Sequence, residues 1–265
     1  VEFECIRCII AVMPPDNEIV QTAFDHLKTG FLNSIDRNLR FLGLELVHEM
    51  LRVQESNVEL VSTWVKDLHE RVLESVEESD PTVQGVALSI LDKIVTSENY
   101  PDVAKKLYEA SDNAAVADAF IGTLLQMGHR NQYLLVDDFA WYLMLLTDIA
   151  RHRPGNHVKE VGLQFVDISV RVPAVRKYAV TLSCLLVSGG DPKAPTVVGA
   201  EAVLSCAWLV GEFCSELEPG SYLTAVKSLL NPMIAGTTSE EAAPAAVRAV
   251  CIWAAFKVYV GAATR

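Results

Sequence analysis

Apolar residues recur along this chain at the spacing of a helix face. Over 81–98 they are Val83, Val86, Ala87, Ile90, Leu91, Ile94 and Val95, the i, i+3, i+4, i+7, i+8 series of one continuous stripe. Over 58–77 Val61, Trp64, Val65, Leu68, Val72 and Val76 repeat it, with Lys66, Asp67, Glu70 and Glu74 on the other side. Over 36–53 Leu39, Leu42, Leu46, Val47, Met50 and Leu51 line up, and Gly43 on that face leaves room for a close neighbour. Stop signals punctuate these runs: Pro14-Pro15-Asp16, Ser79-Asp80-Pro81, Pro154-Gly155-Asn156, Gly189-Gly190-Asp191-Pro192 and Glu218-Pro219-Gly220. No strand alternation competes. The pattern predicts an all-α protein of about twelve helices, give or take one, near 1–12, 17–33, 36–53, 57–78, 80–97, 100–111, 113–128, 137–152, 156–172, 173–188, 197–217, 221–231 and 241–260.

The helices carry a weak repeat. Asp36-Arg-Asn-Leu-Arg-Phe-Leu-Gly-Leu-Glu-Leu-Val47 and Asp80-Pro-Thr-Val-Gln-Gly-Val-Ala-Leu-Ser-Ile-Leu91 share an opening Asp, an aliphatic residue fourth, a long polar residue fifth, Gly or Ala eighth and Leu ninth. Their offset of 44 residues matches the period of HEAT and armadillo repeats. Pro173-Ala-Val-Arg-Lys-Tyr-Ala-Val180 and Pro244-Ala-Ala-Val-Arg-Ala-Val250 read as later copies. In such a repeat the Asp caps the second helix of a pair, and the small residue lets that helix pack tightly. Each pair leaves an apolar face for the next to cover. The expected architecture is a right-handed α–α superhelix, a HEAT/armadillo-like solenoid, over residues 1–265 as a single segment. A compact globule of this length would have a radius of gyration near ~18 Å. Solution scattering is expected to exceed that value.

Charge and composition narrow the classes. The chain has 34 acidic and 22 basic residues, a net −12, with 18 acids and 8 bases in 1–100. A nucleic-acid coat carries the opposite sign, and the acidic half is repelled by an anionic membrane. The longest run free of Asp, Glu, Lys and Arg is Tyr178–Gly190, too short for a membrane span, which argues against a membrane protein. Val1, not Met, opens inside a helical run, which predicts a piece of a longer chain. Six cysteines with no secretory leader read as reduced thiols in a cytosolic protein. Most sit among apolar neighbours as core residues; Cys5-x-x-Cys8 has thiol-motif spacing but no second pair and no nearby His.

Candidate chemistry is sparse. No phosphate loop, dinucleotide fingerprint or nucleophile elbow occurs. His48-Glu49 and His69-Glu70 begin like a zinc-protease helix, but each lacks the second His at i+4. His152, His157 and Glu160 could form a three-ligand corner or a solvated polar loop. Asp137-Asp138 ahead of Phe139-Ala-Trp-Tyr142 is a carboxylate pair or a helix N-terminus. Arg171, Arg176 and Lys177, with Arg151 and Arg153 before them, could take a phosphate or an acidic partner, or could close helix C-termini. Trp64, Trp141, Trp208 and Trp253 read as core. These residues predict no enzyme, no catalytic or metal site and no cofactor.

Several segments resemble one family. Asp36-Arg-Asn-Leu-Arg-Phe-Leu-Gly-Leu44 resembles the repeat of the large adaptin subunits of vesicle-coat adaptor complexes. Phe3-Glu4-Cys5, Val103-Ala-Lys-Lys-Leu107, Phe139-Ala-Trp-Tyr142, Val170-Arg-Val-Pro-Ala-Val-Arg-Lys-Tyr-Ala-Val180 and Cys206-Ala-Trp-Leu-Val-Gly-Glu-Phe213 are similar, in order, to segments of the delta-adaptin branch of the third adaptor complex. Two places depart from it: Gln84 stands where the family usually has Arg, and 188–197 is unlike its loop. The resemblance implies the C-terminal half of a large-subunit trunk, a structural scaffold segment without catalysis. It implies beta, mu and sigma subunits as partners, no nucleic acid, and membrane association only through the whole complex. It implies a cytoplasmic location, peripheral on Golgi and endosomal membranes and vesicles, in sorting towards lysosome-type organelles. The alternatives are another coat or transport solenoid, coatomer- or importin-like, and an enzyme with an unrecognised site. An importin would show a tryptophan ladder at the repeat period, which these Trp positions lack.

Overall fold

The two best repeat copies begin identically. Asp36 Oδ1 accepts the N–H of Asn38 at 2.9 Å and Asp80 Oδ1 that of Thr82 at 2.8 Å, each satisfying an amide that the first helical turn leaves open. Pro81 follows Asp80 at the first helical position, where its missing N–H costs nothing. The computed structural model describes residues 1–14, 17–53, 68–113, 115–152, 155–188, 199–231 and 245–264. Of the expected stops, residues 15–16, 154 and 189–192 lie outside them, as do the apolar positions Val61, Trp64 and Val65.

The described residues divide into two compact units, Val1–Met127 and Gly128–Arg265. In the first, α1 (Glu2–Val12) and α2 (Glu18–His26) are followed by a π-helical turn, Leu27–Leu32. Then come α3 (Arg37–Val53), helical residues 68–76 (α4), α5 (Pro81–Ile94), α6 (Tyr100–Ala110) and the body of α7 (Ala117–Tyr133). The second holds α8 (Phe139–His152), α9 (Val158–Arg171), α10 (Arg176–Val187), α11 (Ala200–Glu212), α12 (Tyr222–Leu229) and α13 (Ala245–Ala263). Within each unit helices pack chiefly on near neighbours in sequence: α1 on α2 and α3, α3 on α5, α8 on α9 and α10, α11 on α9, α10 and α13. That nearest-neighbour pattern is how a helical repeat protein is held together. The fold is all-α, with no strand among the described residues.

The small eighth residue does what the repeat predicts. A Cβ on Gly43 would stand 3.0 Å from Phe31 Cβ and 3.2 Å from the Leu32 amide, so α3 sits directly on the π-helical turn. Ala87, its counterpart in α5, is fully buried. The expected stripe of α5 is buried apart from the half-buried Val86. On α3 the buried line is Leu44, Leu46, Val47, Met50 and Leu51, while Leu39, expected in the core, is exposed. Periodicity sets angles around a helix but not where a neighbour's axis crosses it, and here the crossing favours Leu44.

The fifth residue of the repeat does the same job in three copies. Arg40 donates from Nη1 to the carbonyls of Ser34 (3.0 Å) and Ile35 (3.1 Å), and from Nε to Glu78 Oε1 at 3.0 Å. Gln84 donates from Nε2 to the carbonyl of Val76 at 3.1 Å. Arg176 donates to the carbonyls of Ser169 (3.0 Å) and Val170 (3.4 Å) and lies 4.4 Å from the centre of the Phe213 ring. In these three of the four copies, with Pro173 aligned on Pro81 so that Arg176 falls fifth, a long polar side chain reaches back to carbonyls that the preceding helix or its turn leaves open. Gln84, with a neutral amide, takes one carbonyl where each arginine takes two.

Helix α7 leaves its right-handed path after His129. Arg130 is extended, and Asn131, Gln132 and Tyr133 all have positive φ (50°, 60° and 66°). Each such non-glycine residue costs roughly 1 kcal/mol. The turn is held by the buried Tyr133 ring, edge-on to His129, Phe139 and Tyr142 at 5.3, 6.0 and 6.1 Å. Gln132→Gly removes one of these costs and is expected to raise stability by about 0.5–1 kcal/mol. Thermal unfolding followed by circular dichroism checks this; a loss of stability would assign the Gln132 side chain a structural role.

Candidate interaction surfaces

The residues that could have carried chemistry have structural partners instead. Asp138 Oδ1 accepts the N–H groups of Ala140 (2.8 Å) and Trp141 (3.1 Å), so the acidic pair is the start of α8. Arg171 pairs with Asp167 at 2.7 Å and Lys177 with Glu218 at 3.0 Å, while Arg176 closes α9. Arg153 lies outside the described residues. His157 Nδ1 stands 3.7 Å from Glu160 Oε2, one helical turn away. Among the described residues no three His, Cys, Asp or Glu side chains gather as a metal site, so the His152, His157, Glu160 corner does not form. Cys5 and Cys8 are exposed and free rather than core. Cys206 is fully buried, and loss of water around the thiolate pushes its thiol up to about 12.

His69 is the exception. Its Nε2 is buried with no hydrogen-bond partner among the described residues. Burial lowers its pKa from 6.5, outweighing the nearby carboxylates of Asp102 and Glu70, which act the other way. The unfolded chain therefore binds this proton more tightly than the folded one. Stability contributed by the neutral ring is complete above 6.5 and is lost as pH falls through 6.5 towards the lowered folded value. His69→Gln is expected to flatten this part of the profile. Urea midpoints of both proteins at neutral pH and at mildly acidic pH check it; parallel losses in the two would exclude His69 as the cause.

The clefts are shallow. One of about 180 Å³ is lined by Arg40, Arg71, Glu74 and Glu78, whose charges already pair within it. Another, of about 280 Å³, lies between α1 and α2 and is lined by Cys5, Ile6, Ile9 and Ile19 under Glu2 and His26. The second brings Glu2, His26 and Cys5 to one exposed rim, with His26 Nδ1 3.6 Å from Glu2 Oε1.

Exposed apolar side chains are the more informative feature. Trp253, read from the sequence as core, is 64% exposed, and Trp208 is partly exposed. Both correct the expectation. Helix α13 is apolar all round, so its sequence does not say which side faces inward. Packing on α11 and α12 buries Val247, Cys251, Ala254, Ala255 and Val258 and leaves the Trp253 side outward. α13 is also the one described helix long and apolar enough to cross a membrane by length and composition. Counting charge-free runs missed it because Arg248 and Lys257 interrupt it. Its buried side against two helices is equally that of a packed helix in a soluble body.

Near-neighbour helix stacking, small residues at the crossings and carbonyl-closing arginines define a helical-repeat scaffold. The chain belongs to the adaptin family: the family described as "Adaptin N terminal region" matches residues 1–259. It is 28% identical to the AP-3 complex subunit delta-1 of Bos taurus over 97% of this chain and 21% of that protein. It is 29% identical to the AP-3 complex subunit delta of Arabidopsis thaliana over 97% of this chain and 28% of that one. The chain thus spans less than a third of the length of these relatives. A chain of a full-length AP-3 complex homology model in an intermediate open conformation shares the fold, with a TM-score of 0.66 at 17% identity, over 98% of this chain and 47% of that one.

Proposed function

We propose that residues 1–265 are the C-terminal half of the trunk of a delta-type adaptin, a structural scaffold segment of a heterotetrameric vesicle-coat adaptor complex. The segment does no chemistry. It supplies a helical frame on which beta, mu and sigma subunits assemble, and the whole complex carries cargo from Golgi or endosomes towards lysosome-type organelles. Its membrane association runs through that complex, on the cytoplasmic side of those membranes.

The observation that carries the reading is the fifth-position side chain, which closes a preceding helix in both units, through Arg40, Gln84 and Arg176. A device recurring along the chain supports one continuous solenoid segment rather than two unrelated domains. The match of residues 1–259 to the adaptin family and the delta-subunit relatives in animals and plants support the same assignment. Affinity purification of the tagged parent protein from its own cells tests it. The expected result is recovery of the beta, mu and sigma subunits of one adaptor complex. Recovery of coatomer subunits, or of no coat subunit, would overturn the assignment. Co-expression of the 265-residue chain with each subunit tests the finer placement within the trunk.

A further inference from the structure

The outward side of α13 carries a continuous apolar stripe. Ile252, Trp253, Phe256, Tyr259 and Val260 are 60, 64, 55, 66 and 41% exposed, at the i, i+1, i+4, i+7, i+8 spacing of one face. Trp253 and Phe256 stack with ring centres 5.7 Å apart. With aromatic side chains of 150–250 Å² each, the stripe presents on the order of 500 Å² of apolar surface. That is at the upper end for the largest patch of a monomer, and it is one helix wide.

The charge that α13 itself carries has one sign. Helix α13 contains no Asp or Glu. Arg248, one turn before Ile252 on the same line, is exposed and has no ion pair among the described residues. The open amides of the first turn add positive potential at that end. Lys257, at the border of the stripe, is paired with Glu212. The acidity of the chain lies elsewhere: residues 1–127 hold 22 acids against 10 bases, and residues 128–265 hold 12 of each.

We propose that the Ile252–Val260 face of α13 is a docking surface for an amphipathic helix with an aliphatic stripe and acidic flanks. One carboxylate of that helix lies opposite Arg248. The width of the stripe fits a single helix laid along it, and the uncompensated cation selects acidic flanks. A second copy fits worse, because α13 against α13 brings cations to both sides and a carboxylate from neither helix. A lipid surface also fits worse. Interfacial helices carry rows of Lys and Arg, whereas here one of two cations is already paired and the chain as a whole is at −12. The inference draws its biological setting from the scaffold reading. If the parent protein recovered no coat subunit but this surface bound an acidic helix, that reading would fail and this one would stand.

The probe is a fluorescein-labelled helical peptide of about five turns, with Leu along one face and Glu on both flanks. Its twin has Lys in place of Glu. Fluorescence anisotropy against the 265-residue chain is expected to show saturable binding of the Glu peptide, about tenfold tighter than the Lys peptide. Replacing both Trp253 and Phe256 by Ser should abolish binding, with an unchanged circular dichroism spectrum. Arg248→Glu should reverse the order of the two peptides. Equal binding of the two peptides, binding of neither, or binding untouched by the double substitution would overturn the proposal. So would a concentration-dependent dimer lost on Trp253→Ser, or co-sedimentation with phosphatidylcholine–phosphatidylserine vesicles that depends on the same residues.

Discussion

Gly211→Val is expected to destabilise the protein by about 3 kcal/mol, lowering the melting temperature by roughly 6–12 °C. A Cβ at Gly211 would lie 2.8 Å from Ala254 Cα and 2.9 Å from Ala254 Cβ. Those atoms belong to the backbone of α13 and to a side chain with no freedom to turn away. The clash is relieved only by moving α13 off α11, which loosens the packing of Cys251, Ala254, Ala255 and Val258. The same holds on the other side of α11. A Cβ on Gly162 of α9 would stand 2.7 Å from Ser205 Oγ and 3.2 Å from Ala202 Cα. Gly162→Val should cost a little less: Ser205 Cβ also lies 2.9 Å away and cannot turn aside, but the nearest backbone atom, Ala202 Cα, is at 3.2 Å rather than 2.8 Å. Gly85, on the exposed side of α5, has nothing within 4 Å of where its Cβ would lie. Gly85→Ala should therefore stabilise by about 0.5–1 kcal/mol through helix propensity alone. Thermal and urea unfolding of the three variants checks the set. A Gly211→Val protein as stable as the parent would mean that α11 and α13 do not meet as described.

Arg176→Met is expected to cost about 2 kcal/mol, from lost hydrogen bonds of a charged donor to two carbonyls and lost contact with an aromatic ring. Ser169 and Val170 sit in the last turn of α9, whose carbonyls have no partner within the helix. The methionine stem keeps the packing and removes only the guanidinium. Arg176→Lys should recover less than half, since a single ammonium cannot serve both carbonyls and lie over Phe213. Combining Arg176→Met with Phe213→Leu measures the ring's share, because only the cation–ring contact is lost twice. Additive losses in that cycle would remove the ring from the account and leave carbonyl closure alone. If Arg176→Met had no effect, the repeat's fifth residue would not be the device that closes each helix.

Much of the architecture is local and was therefore legible. Asp80 followed by Pro81 announces a helix start because both residues act within one turn. The α5 stripe is readable because every helix repeats at 3.6 residues whatever it packs on. Gly43 and Ala87 at matching positions marked the tight crossing of the repeat. The negative readings of Asp137-Asp138 and of the Arg171, Arg176, Lys177 cluster also came from local rules, namely acids at helix starts and cations at helix ends.

The chain alone thus determined where most helices start and stop, to within a few residues, and that they repeat. Each of these depends on groups within about two turns of one another. It did not determine which side of α13 faces inward, that Leu44 rather than Leu39 lies in the core, or that His69 holds a buried nitrogen beside Asp102. It did not reveal three consecutive left-handed residues at 131–133, where Asn131 was the one residue of a type that tolerates that conformation. Those features arise where helices distant in sequence cross. An apolar helix without a polar side has no preferred orientation until its neighbours choose one, and only the tertiary packing made that choice.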